Sequence, residues 1–78
     1  MAISDSGLHK LVGRTITHVL VKAGQVSPKS QVFLVLDDGT YFEFYGDTPI
    51  RPTGDVRPGG LHGARAYMAP HSRIIYEV

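Results

Sequence analysis

Gln31-Val32-Phe33-Leu34-Val35-Leu36-Asp37-Asp38-Gly39-Thr40-Tyr41-Phe42-Glu43-Phe44-Tyr45-Gly46 is the stretch around which the rest of the chain is arranged. Its two apolar runs, 32–36 and 41–45, are built from aliphatic, β-branched and aromatic side chains, which pack well on a pleated surface. Asp-Gly between them supplies a turn, because a tight hairpin needs residues that accept positive φ cheaply. The segment is therefore read as a β-hairpin, with two registers open to it. A two-residue Asp38-Gly39 loop puts Phe33 and Val35 on the face of Phe42 and Phe44. A three-residue loop closing on Gly39 as a G1 bulge puts Val32, Leu34 and Leu36 there instead. A slip of one residue exchanges the two faces completely. In either register the first strand is apolar on both sides, so both sides need cover. A helical layer covers one; the other requires a further layer, a curled sheet or another chain.

Upstream, residues 14–22 (R-T-I-T-H-V-L-V-K) are rich in β-branched residues and read as a strand, followed by a Gly/Ser/Pro loop at 23–30. Ser4-Asp5-Ser6 offers N-caps, Leu8, Leu11 and Val12 follow helical spacing, and Gly13 offers a stop. A short helix over 5–12 is expected. Downstream, residues 46–60 hold three prolines and four glycines and read as a long loop. Arg51-Pro52-Thr53-Gly54 and Arg57-Pro58-Gly59-Gly60 form a loose echo within it, too short to count as a repeat. Residues 61–69 have Leu61, Ala64 and Met68 at helical spacing before Pro70, although Gly63 weakens a helix interior by about 1 kcal/mol relative to alanine. Residues 73–78 read as a final strand.

The expected fold is one α+β domain over 1–78, a mostly antiparallel sheet of about four strands with two short helices in the order α-β-β-β-α-β. The alternative is a small SH3-like or Sm-like β-barrel with an N-terminal helix. A chain of 78 residues has a thin core. With no cysteine it has neither disulfides nor thiolate metal sites to compensate, which favours oligomerisation. No apolar run approaches the ~18–20 residues of a membrane span, and no signal-peptide pattern opens the chain. A cytoplasmic protein that does not engage membranes is expected.

Chemical motifs are sparse. Asp37-Asp38 precedes a glycine and reads as turn chemistry before paired catalytic carboxylates. His9, His18, His62 and His71 lack metal-ligand spacing, and no nucleophile elbow is present. The glycines from Arg57 to Gly63 match no phosphate-loop pattern. No catalytic residue, metal ligand or cofactor is therefore assigned. The net charge of +1 points to no polyanion, but Arg51, Arg57 and Arg65 lie in one segment with tyrosines nearby as stacking groups. The expectation is a non-enzymatic interaction module that self-associates or binds a protein partner through the 31–46 hairpin, with Phe33, Tyr41 and Tyr45 as contact residues. The alternative is nucleic-acid binding through Arg51, Arg57 and Arg65.

Overall fold

The structure is a computed structural model and describes residues 7–47, 49–68 and 72–78. After a single 3-10 turn at Leu8–Leu11 come β1 (Ile16–Gly24), β2 (Ser30–Leu36), β3 (Thr40–Gly46), β4 (Arg51–Pro52), β5 (Arg57–Pro58), α1 (Gly60–Ala66) and β6 (Ser72–Glu77). They form one six-stranded sheet in the order β4-β3-β2-β1-β6, with β5 also on β3, and each pairing is antiparallel.

This corrects the expected four strands and two helices. The first helix shrinks to a 3-10 turn because Gly7 at φ 80° and Gly13 at φ 81° bracket it closely. No side chain caps its start, and so short a segment cannot sustain α-helical cooperativity. Residues 5 and 6 of that expected helix, and 69 of the second, lie outside the described residues. The second helix is confined to Gly60–Ala66, with Tyr67 closing it. The two additional strands come from the 46–60 loop. β3 has a free edge, and each Arg-Pro pair of the sequence echo lies along it: Arg51 opposite Tyr45, Arg57 opposite Tyr41. Proline is tolerated there because an edge strand need not donate on its outer side. Nor is the sheet a barrel, since β4 and β6 stand at opposite ends of the strand order.

The hairpin adopts the register with a three-residue loop. Val35 pairs with Tyr41, Leu34 with Phe42, Phe33 with Glu43 and Val32 with Phe44. Gly39 takes φ 83° and its N–H donates to Leu36 O at 3.3 Å. The Asp38 carboxylate accepts from Thr40 N–H at 3.1 Å and Thr40 Oγ1 at 2.6 Å and pairs with Arg14 at 3.2 Å, which secures the turn.

That register decides what each face does. On one face Leu20, Phe33, Val35 and Tyr41 form the core with Ala64 of α1, and Leu61 and Met68 pack against them. The Tyr41 ring stands 6.0 Å from Phe33 and 6.3 Å from Tyr67, centroid to centroid. Gly63 lets the helix approach: a Cβ there would lie 2.8 Å from Pro58 O and 3.1 Å from Tyr41 Cε1. The opposite face carries Val19, Val21, Val32, Leu34, Leu36, Phe42 and Phe44, continued by Tyr76 on β6 and by Val78 just past it. It is sealed at Leu36 and Phe42 but not over its breadth, and Tyr76 and Val78 are 68% and 80% exposed. The molecule is a slab of 35 × 30 × 17 Å, thick enough for a sheet and one helical layer.

Candidate functional site

Two surfaces can carry function: a polar cleft beyond the end of α1, and the open apolar face behind it. The cleft follows from strand alternation. On the helix-bearing face, the row Val35–Tyr41–Arg57 is followed by Leu20–Phe33–Glu43, then by Lys22–Gln31–Tyr45–Arg51. The core contains no residue of this last row. Apolar side chains give way here to Lys22, Gln31 and Glu43, the three buried polar residues of the described chain.

Gln31 Nε2 donates to Glu43 Oε2 at 2.7 Å, a buried hydrogen bond that aligns the carboxylate. Among the described residues Glu43 has no ion-pair partner. Thr53 fastens the neighbouring segment, its N–H and Oγ1 both donating to Glu43 O at 3.0 and 2.7 Å. Arg57 lies over the Tyr67 ring, 4.4 Å from its centroid, a cation–π contact that holds the guanidinium at the rim. Gln31, Glu43, Tyr45, Thr53, Arg57 and Tyr67 thus surround a cleft of about 420 Å³. A second cleft of about 360 Å³ adjoins it at Tyr45 and carries Arg51 and Asp47. Asp47 is committed to the β1–β2 loop, accepting from Lys29 N–H at 2.9 Å and Ser27 Oγ at 3.0 Å.

The electrostatics follow from these contacts. Burial lowers Lys22 from the ordinary lysine value. Burial raises the Tyr41 phenol, against the pull of Arg57. Asp38, Asp47 and Asp55 all fall below the ordinary aspartate range. Asp38 is lowered chiefly by the Thr40 hydroxyl, Asp47 by Lys29 N–H and Asp55 by its bond with Lys10. No three His, Asp or Glu side chains among the described residues are placed to hold a metal ion.

The structure separates the residues marked by the sequence. Phe33, fully buried, and Tyr41, 3% exposed, lie in the core beneath α1 and offer no surface to a partner, whereas Tyr45 is 40% exposed at the cleft. The hairpin's less covered apolar side is the one bearing Val32, Leu34 and Phe44, all half-buried, which follows from the register. Arg51 and Arg57 share one sheet edge beside Tyr45 and Tyr67. Arg65 is elsewhere, on α1, in an ion pair with Glu77. His18 bonds through Nδ1 with Thr17 Oγ1 at 3.1 Å; His71 lies outside the described residues. Sequence reading missed Glu43, Gln31 and Lys22. The available signal was an acid enclosed by aromatics in Tyr41-Phe42-Glu43-Phe44-Tyr45, but only the register brings the three to one face. No described helix is long and apolar enough to cross a membrane. No family model matches the chain, and no curated protein or solved structure matches it significantly.

Proposed function

We propose that this protein is a cytoplasmic, non-enzymatic interaction module that pairs with a second copy of itself through the open sheet face. The observation that carries this reading is the apolar face of the hairpin, continued across β1 and β6, which the described residues leave half-buried at Val19, Val21, Val32, Leu34 and Phe44 and exposed at Tyr76 and Val78. Arg73, opposite Ala23, is its one charged residue among the described strands. An apolar surface of this kind is complementary to itself, and a two-fold axis through its centre places like against like while Arg73, exposed on the edge strand β6, keeps its charge in solvent. The two sheets would face each other about 10 Å apart, with a helix on each outer side.

Four strands at ~4.8 Å and five residues at ~3.4 Å give a face of roughly 19 by 17 Å in projection. Two corrugated copies of it bury on the order of 1,000 Å², the lower end of specific interfaces. The expected product is a dimer with a dissociation constant in the micromolar range, on the order of 8 kcal/mol. Sedimentation equilibrium across that range tests it. The wild-type chain should pass from monomer to dimer, and Tyr76→Glu should remain monomeric with an unchanged circular dichroism spectrum, because Tyr76 is largely exposed. A wild-type protein that stays monomeric at several hundred micromolar refutes the reading.

A further inference from the structure

The cleft on the opposite side of the sheet has a different chemistry, and its occupant does not depend on self-association. At its floor is a carboxylate from a residue only 3% exposed, with one oxygen bonded to Gln31. A carboxylate has about four acceptor positions, so several remain for a ligand donor. Its walls include the Tyr45 and Tyr67 rings, and at its rim is a guanidinium held over Tyr67. Arg51 stands in the adjoining cleft, four β3 residues along from Arg57 by their pairings with Tyr45 and Tyr41. That separation is roughly 13 Å.

These features select among ligands by charge and shape. An ammonium or guanidinium ligand would suit the carboxylate but meets Arg57 at the entrance. A simple anion would suit Arg57 but meets Glu43 at the floor. A flat, neutral ring with N–H donors on one edge and a phosphate attached satisfies both, with its face against tyrosine. We infer that the cleft binds a nucleotide through its base, with the base's donor edge on Glu43, its ring stacked on Tyr45, and phosphate on Arg57. Guanine presents two adjacent donors, N1–H and the 2-amino group, and so fits a carboxylate best. Two arginines along one groove extend the site from a single nucleotide to a short single strand, whose bases stack on aromatics while its phosphates meet the cations. Asp47 does not oppose this, since its carboxylate is turned to Lys29 and Ser27.

The test is fluorescence anisotropy with labelled single-stranded RNA hexamers, namely hexauridylate and its variants carrying one G, A or C at the third position. The G-bearing hexamer should bind at least tenfold more tightly than hexauridylate. Glu43→Gln should erase that preference, and Arg51→Ala and Arg57→Ala should weaken all four hexamers alike and reduce the salt dependence by about one counterion each. Tyr45→Ala, at a half-exposed position where folding is not at stake, should lower every affinity about tenfold. GMP alone binding as tightly as the hexamer would overturn the strand and leave a free-nucleotide site. Equal affinity for the four hexamers, a G preference that survives Glu43→Gln, or no binding by any hexamer or GMP at 1 mM would overturn the inference. Running the series in the Tyr76→Glu background separates it from self-association, because that residue lies on the other face.

Discussion

Gly63 and Lys22 each break a rule of composition, and each break has a local cause. A glycine inside α1 forfeits about 1 kcal/mol of helix propensity, yet the missing Cβ is what allows Tyr41 and the Pro58 carbonyl to lie so close. Gly63→Ala should therefore lower the melting temperature, since overpacking costs about 1–3 kcal/mol and Pro58 O belongs to the backbone and cannot swing aside. A thermal melt showing a gain would mean that the helix had moved away at little cost. Lys22 is 6% exposed, and burial lowers its pKa. Its charged form is thus disfavoured in the folded state. That cost stands in full wherever the amine is protonated in both states, and disappears as pH rises through the lowered value to the ordinary one. Lys22→Met should raise the melting temperature by a few degrees at pH 7, with the advantage shrinking as pH rises towards the ordinary lysine value of about 10.4, as parallel melts would reveal. Glycine in a helix was legible in the sequence as a weakness, not as a contact. The burial of Lys22 was not legible at all, because it depends on which face β1 turns to the core.

At the scale of elements, the hairpin was readable and its consequences were not. Asp-Gly between two apolar runs is a local signal, whereas the choice between two- and three-residue loops rests on which side chains find cover. The pairs Val32–Phe44 and Leu34–Phe42 settle that choice. β4 and β5 were invisible for a related reason. Two-residue strands have no periodicity of their own, and Arg51-Pro52 and Arg57-Pro58 are strands only because β3 presents an unfilled edge. Their sequence echo was the one trace of a common role. The loops are fastened by carboxylates: Asp38 at the hairpin turn, Asp47 across the β1–β2 loop, and Asp55 from the β4–β5 connection to Lys10 beside the 3-10 turn. All three have lowered pKa values. Their contribution is therefore complete above the ordinary aspartate pKa of about 4 and is lost as pH falls through the lowered values. Asp47→Asn should accordingly be less stable than wild type at pH 7 and nearly equal to it at pH 2, in urea titrations. A difference independent of pH would assign the effect to hydrogen-bond geometry alone.

At the scale of the molecule, the two sides of the sheet differ in character. One side is closed by α1 and gives way to the polar cleft, while the other is a broad apolar plane. The sequence announced that both sides of the hairpin required cover. It did not announce that α1 would be the one helix among the described residues, because the expected N-terminal helix reduced to a single turn beside the 53–56 segment, with Gly7 against Gly54 and Lys10 bound to Asp55. Concentration-dependent association should respond to changes on the plane and not to changes in the cleft. Tyr45→Ala should dimerise as wild type does while losing ligand, and Tyr76→Glu should do the reverse, a double dissociation that sedimentation and anisotropy can read on the same samples.

The outermost strand determines how far such association can proceed. β6 pairs Tyr76 with Val21 and Ile74 with Lys22, leaving Ile75 as an extra residue that interrupts the ladder. An exposed edge with regular spacing is a template on which further chains can add without limit, and a bulge spoils that template by bending the strand and putting its next donors out of step. Growth sideways, sheet edge onto sheet edge, is thereby discouraged, while the proposed stacking plane to plane would consume its own adhesive surface in one step. For the proposed pairing, the irregularity at Ile75 would act as a device of termination, favouring an assembly that ends at two copies over a fibre that does not end.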